Sequence, residues 1–277
     1  MRRITVVSTK GGVGKTTAAA NLGGVFADYG YRVLLVDADI QPTLSSYYPI
    51  RSQAPKGLFE LLVAGETRTV ISSTAIPNLD LIVSNDPTGQ LPNLLLHAPD
   101  GRTRLKHLLD GIGVRYDLTI IDTQGALSAL QDAAVLAADL LVSPLPPEML
   151  SAREFTRGTI RMLERLQPME RLGLCVPPLV AVLNRIDRTR NAAQIAAALR
   201  DEYFVDTPCR IRLSETVIPN LVAYREAASL GIPVHRHEAV RPFGRKTPAA
   251  LETMLDLAQE LLPDCPLDGA RVDAAIN

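Results

Sequence analysis

Two lysines in the stretch "STKGGVGKTTAAANL" (residues 8–22) are the first residues whose type and spacing promise chemistry. Lys15 follows Gly14 and precedes Thr16 and Thr17, the place where a phosphate-wrapping loop needs its cation. In such a loop the backbone N–H groups of Gly11, Gly12, Val13, Gly14 and Lys15 curl around phosphate oxygens. The ammonium of Lys15 would bridge the outer phosphates, and the Thr16 hydroxyl would be offered to Mg²⁺. The plainer alternative is a glycine turn that caps a helix and holds no ligand. Lys10 is surplus to either reading, and Thr9 stands where the usual pattern has its first glycine.

Three carboxylates extend the candidate site. Asp122 closes the apolar run "LTIID", where a magnesium-reaching carboxylate is expected. Asp37 and Asp39 close "RVLLVDAD" and, two apart in extended chain, share one face. Asp37 could join the magnesium shell while Asp39 orients a water at the terminal phosphate. Taken alone, each aspartate is an ordinary strand-end turn-former.

These residues need elements that carry them to one edge. "RITVVS" (3–8) predicts a buried strand and "KTTAAANLGGVFADYG" (15–30) a helix stopped by Gly30. Further strands are expected at 32–39, 78–85, 116–123, 139–145 and 178–185. Helices are expected near 57–64, 102–110, 128–137, 150–166, 191–201, 219–229 and 248–262. Apolar strands without polar alternation, separated by helices, predict an α/β fold: a doubly wound, mostly parallel sheet covered on both faces. Ligands of such sheets collect at the carboxyl ends of the strands, where Asp37 and Asp122 fall. The Pro/Gly-rich "PNLLLHAPDG" and "LCVPP" are expected to be surface connections. One domain over 1–262 with a tail over 263–277 is the simplest organisation.

Bulk composition is compatible with this. The chain has 277 residues, 47% hydrophobic and 21% charged, and no tryptophan. No apolar run reaches the roughly 18 residues that cross a bilayer, and "MRRITVVS" leaves no room for a leader, so a cytoplasmic protein is expected. Cys175, Cys209 and Cys265 show no metal-ligand spacing and read as reduced thiols. Net charge is −1, yet from Arg185 to Lys246 Lys and Arg outnumber Asp and Glu by eleven to seven.

"KGGVGKTT", "LLVDADIQPT" and "YDLTIIDTQG" together resemble the ParA/MinD family of deviant Walker A P-loop ATPases, from residue 4 to about residue 262. The resemblance implies ATP and Mg²⁺ as ligands and a nucleotide-sandwich homodimer. It implies that Lys10 is the signature lysine, reaching the phosphates held by the other subunit, and that Asp39 orients the attacking water. The family's aspartate segment usually runs directly into Pro-Gln; here Ile40 precedes Gln41 and Pro42. Asn184 in "AVLNR" aligns with an adenine-reading asparagine, Pro144 and Glu148 with the dimer face, and residues 225–234 with a stretch near the base.

Within the family, small partition ATPases without an N-terminal DNA-binding extension are the nearest type. Their nonspecific DNA binding would fall here to Arg185, Arg188, Arg190, Arg210, Arg212, Arg241, Arg245 and Lys246, with a ParB-type protein or cargo adaptor as partner and the nucleoid as location. Scattered solvated arginines are the bland alternative for that set. A MinD-like placement ATPase is disfavoured because "PDCPLDGARVDAAIN" offers little basic or apolar face for a membrane. A reductase subunit or ligase on the same scaffold is disfavoured because Cys175 and Cys209 both follow Asp122.

Overall fold

The computed structural model describes residues 1–187 and 211–267, with Gln194 and Ala197 between them. Among these residues a ten-stranded sheet forms the centre. Its strands are β1 (Arg2–Val6), β2 (Val33–Ala38), β3 (Ile50–Ser52), β4 (Ile71–Thr74), β5 (Leu79–Ile82), β6 (Leu118–Thr123), β7 (Leu140–Leu145), β8 (Leu179–Ile186), β9 (Ile211–Leu213) and β10 (Ile218–Pro219). They lie in the order β10-β8-β7-β1-β6-β2-β5-β4-β3, with β9 also pairing β8. Only the β3–β4 and β4–β5 pairs are antiparallel.

The strand alternation explains how two faces are covered. Val33 and Leu35 of β2 enter one core cluster, whereas Leu34 and Val36 enter another. In β8, Val180 and Val182 join the first cluster, and Leu179, Ala181 and Leu183 a third. Every strand with apolar residues on both sides must be sandwiched. The first face is covered by α1 (Lys15–Asp28), α8 (Ala223–Leu230), α9 (Val234–His237) and α10 (Ala250–Leu261). The second is covered by α2 (Leu58–Ala64), α3 (Leu91–His97), α4 (Gly101–Ile112) and α5 (Ala129–Ala137). Beside these, a rod of α6 (Met149–Glu154), a π-helical segment (Phe155–Ile160) and α7 (Arg161–Leu166) covers β7 and β8.

Three expectations need correction or restriction. "PNLLLHAPDG" is not merely a connection: α3 begins there with Pro92 in its first turn, where a missing N–H costs nothing. The antiparallel edge β3–β4 escaped notice because three- and four-residue strands such as "IRS" and "ISST" are too short to show a period. The helix expected at 191–201 lies largely outside the described residues. The start of the tail packs on the first cluster through Cys265 and Leu267, and the Tyr31 hydroxyl donates to Pro266 O at 2.9 Å.

Candidate nucleotide site and its basic surroundings

β1, β2 and β6 are neighbours in the sheet, and Asp122 is in register with both Val6 and Asp37. The phosphate-type loop leaves β1, and α1 begins at Lys15 immediately after it. Gly14, the N-cap, has φ 95°, and Gly12 has φ 73°; both lie in the region that glycine occupies without strain. Sequence order therefore places loop, helix N-terminus and both strand-end aspartates at one edge.

Lys15 is 7% exposed. Its Nζ donates to the Lys10 carbonyl at 3.2 Å, folding the side chain beneath its own loop. Burial lowers its pKa, against the opposing pull of Asp122 and Asp39. The Thr16 hydroxyl donates to Asp122 Oδ2 at 2.6 Å. Asp122 Oδ1 is buried with no hydrogen-bond partner. Burial, only partly offset by the Thr16 hydrogen bond, pushes this carboxyl up to about 7. A fully buried acid with one orphaned oxygen beside a hydroxyl is a hard-oxygen donor set that fits a hydrated magnesium ion. A cation there would lower the carboxyl's pKa again.

Asp37 is engaged by the chain that follows it. Ser45 N and Ser45 Oγ both donate to its Oδ2 at 2.7 Å, and Asp39 N donates to Oδ1 at 3.2 Å. Burial pushes it up to about 6 despite the Ser45 hydrogen bonds. Its immediate task is to fasten the loop that carries Asp39. Asp39 itself is half-buried; its Oδ1 accepts from Gln41 N at 3.0 Å. With Lys15, Thr16, Thr17, Gln41 and Gln124 it lines a 590 Å³ cavity. Ile40 packs toward Gly89, and the Ser84 hydroxyl holds the Asp39 carbonyl at 2.6 Å.

The second lysine lies on the other side of the loop. Lys10 Nζ is 3.1 Å from Ser151 Oγ, 3.2 Å from Glu154 Oε2 and 3.8 Å from Glu148 Oε2. Its side chain remains 29% exposed. The start of the rod thus clasps Lys10 within the same chain. Thr9 also meets the rod: a Cβ placed on Gly158 would sit 1.9 Å from Thr9 Oγ1. Thr9 N donates to Thr159 Oγ1 at 3.4 Å.

Asn184 Nδ2 donates to Val13 O at 2.8 Å, so its amide braces the loop. It also lines a 440 Å³ cavity with Thr17, Ala18, Pro219, Leu221, Tyr224 and Met254, an apolar slot fit for a planar base. Residues 225–234 comprise most of α8, its left-handed cap Gly231, and Pro233. Gln131 was not singled out from sequence, yet its buried Nε2 bridges Ser8 O and Gln124 O. The legible signal was the cap at Ser128, which accepts from Gln131 N and starts α5.

The described members of the basic set expected between 185 and 246 do not form one free surface. Arg188, Arg190 and Arg210 lie outside the described residues, as does Cys209. Arg212 is bound to Glu260 at 2.6 Å. Arg245 forks onto Glu238 at 2.7 and 2.5 Å and also reaches Pro248 O. Arg185 lines the cavities around the loop. Arg241 and Lys246 stay exposed on either side of the fully exposed Phe243. The sequence reading overlooked Arg153, Arg157 and Arg161, all exposed along the rod and without an ion pair among the described residues. Eight residues of α-helix would rotate by about 80°. The wider i→i+5 turns of the π segment reduce that drift, which keeps the three guanidinium groups nearer one line.

Comparison with known proteins follows the same lines. The AAA domain family matches residues 1–171. Soj of Bacillus subtilis, named a sporulation initiation inhibitor protein, is 30% identical over 263 residues, covering 93% of this chain and 97% of that protein. The chromosome partitioning protein ParA of Caulobacter vibrioides is 32% identical over 242 residues, 84% of this chain and 86% of that one. Among solved structures, an ATP complex of a Cyanothece McdA variant superposes with a TM-score of 0.75 at 26% identity, covering 95% and 96% of the two chains. No helix among the described residues is long and apolar enough to cross a membrane.

Proposed function

The chain belongs to the ParA/MinD family of P-loop partition ATPases, and from that premise we propose that it is an ATP-driven dimerising switch of the ParA type. It hydrolyses ATP slowly to partition DNA or position a cargo over the nucleoid. The observation that carries this reading is the contrast between two lysines of one loop. Lys15 is buried beneath the loop, ready for phosphates bound in its own subunit. Lys10 lies outside, held by Glu148, Ser151 and Glu154. Only a ligand shared with a second copy gives that outer cation a reason to leave its carboxylates.

In this reading the N–H groups of residues 11–15 and the helix N-terminus bind the phosphate chain. Lys15 neutralises the outer phosphates, and Asp39 orients the attacking water in the 590 Å³ cavity. Thr16 and Asp122 hold Mg²⁺, which when bound neutralises phosphate charge. The 440 Å³ cavity beside Asn184 receives the base. Arg153, Arg157 and Arg161 supply the DNA-facing charge, since free guanidinium groups in line suit a phosphate backbone. A ParB-type or adaptor protein stimulates hydrolysis and resets the switch.

The experiment measures oligomeric state and retention on nonspecific DNA with ATP, ADP or no nucleotide. Wild type is expected to dimerise and bind DNA only with ATP. Asp39→Ala is expected to bind ATP and accumulate as a dimer. Lys15→Ala is expected to lose nucleotide binding by at least about 100-fold; unchanged ATP affinity in that variant would overturn the assignment.

A further inference from the structure

The nucleotide reading leaves Arg185 without a task. Its φ is +60°, and Asn78 is the other non-glycine residue with positive φ among the described residues. The pairing of β10 with β8 explains where that conformation arises. Ile218 is in register with Asn184 and Pro219 with Ile186, so Arg185 is the extra residue of a bulge. Bulges of this kind re-aim one side chain and recur beside active sites.

The backbone is pinned on both sides of the bulge. Asn184 Nδ2 holds Val13 O at 2.8 Å. Asn220 N donates to Ile186 O at 3.1 Å, and Asn220 Nδ2 donates to Asp187 Oδ1 at 2.9 Å. A left-handed arginine persists only where its surroundings over-determine it. Its side chain is exposed and makes no hydrogen bond or ion pair among the described residues.

Arg185 lines each of three cavities around the phosphate loop. One is the 440 Å³ slot beside Asn184. The second, of 360 Å³, is walled by Lys10–Val13 and Pro146–Glu148. The third is the 590 Å³ cavity that also holds Lys15, Thr16 and Asp39. Of the loop only Gly14 reaches the first, several loop residues wall the other two, and a planar guanidinium fork matches phosphate oxygens better than it matches a base edge.

We propose that Arg185 contacts the phosphate chain of the nucleotide bound in its own subunit, from the solvent side, opposite the buried Lys15. The inference rests on the ATPase reading above and removes Arg185 from the DNA-facing set. Arg185 is exposed at the rim of the cleft around the loop, within the cavities where a nucleotide rather than a duplex would lie.

The test is titration of fluorescent ATP and ADP analogues with Mg²⁺ into DNA-free protein, with melting temperature recorded without nucleotide. Arg185→Gly removes both the guanidinium and the backbone strain; Arg185→Asn keeps a side chain that tolerates this conformation. Both are expected to weaken ATP binding about 10-fold, with Arg185→Lys intermediate. The nucleotide-free melting temperature of Arg185→Gly should be unchanged or higher. DNA retention at saturating ATP should match wild type in all three variants. ATP affinity within twofold of wild type in both Arg185→Gly and Arg185→Asn, with wild type binding normally, would overturn this inference alone. A wild-type protein that bound no nucleotide would overturn the ATPase reading itself.

Discussion

The arginines of the rod and those of the last third carry the same charge and are put to opposite uses. Arg153, Arg157 and Arg161 stand in solvent with no ion-pair partner among the described residues. Arg212 and Arg245 are each consumed by a carboxylate that also organises backbone. Glu238 takes Arg245 and accepts from Ala250 N at 2.9 Å, fixing the start of α10. Glu260 takes Arg212, Ser214 Oγ, Glu215 N and Thr216 N, fixing the loop after β9. Counting charge along a sequence cannot separate these cases, because the neutralising partner can lie 48 residues away, as for Arg212 and Glu260.

The largest effect that would sharpen the contrast is on DNA. Replacing Arg153, Arg157 and Arg161 together with alanine should cut ATP-dependent DNA retention by about 100-fold near physiological salt and lower the log–log salt slope by about 3. Filter binding across a salt series measures both, and an unchanged slope would erase the distinction between the two sets. Next comes Arg245→Ala, expected to cost about 2 kcal/mol of stability because it leaves Glu238 half-satisfied. Its DNA affinity should not move, which denaturant melts run beside the binding assay will show. Arg212 is half-exposed, so Arg212→Ala should cost less, about 1 kcal/mol at most.

The last effect is a pH dependence. Burial works to raise the Glu260 pKa, but hydrogen bonds from Ser214, Arg212 and Thr216 outweigh it and bring the carboxyl down from 4.5 to about 2. Its contribution to stability is therefore complete above pH 4.5 and is lost as pH falls toward 2. Glu260→Gln should be less stable at neutral pH and show a flatter decline between those limits in acid melts. Parallel acid limbs in the two proteins would remove Glu260 from the account.

The central sheet and the nucleotide edge were legible because they are written locally. An apolar run fixes a strand, a carboxylate at its end fixes a position on the edge, and glycines before Lys15 fix the loop between strand and helix. The family resemblance added an expectation for Lys10, which no local pattern supplies. What stayed hidden depends on pairing at a distance. The engagement of Asp37 by Ser45, the Gln131 bridge to Ser8 and Gln124, and the bulge at Arg185 all need the sheet to be assembled first. The stripe on the rod was hidden for another reason: its spacing of four reads as ordinary amphipathic helix, and nothing in "SAREFTRGTIRMLERL" announces the π segment.

Gly158 is where the rod meets the beginning of the phosphate loop, and the Thr9 side chain fills the space that a Cβ there would need. A displacement of Thr9 would press on the helix that bears the three arginines, and a displacement of that helix on Thr9. Two ligands that meet through one such seam obey a strict symmetry: the factor by which the first tightens the second is the factor by which the second tightens the first. On the proposed function, triphosphate that favours the capture of nucleic acid along the rod would itself be held longer once nucleic acid is bound.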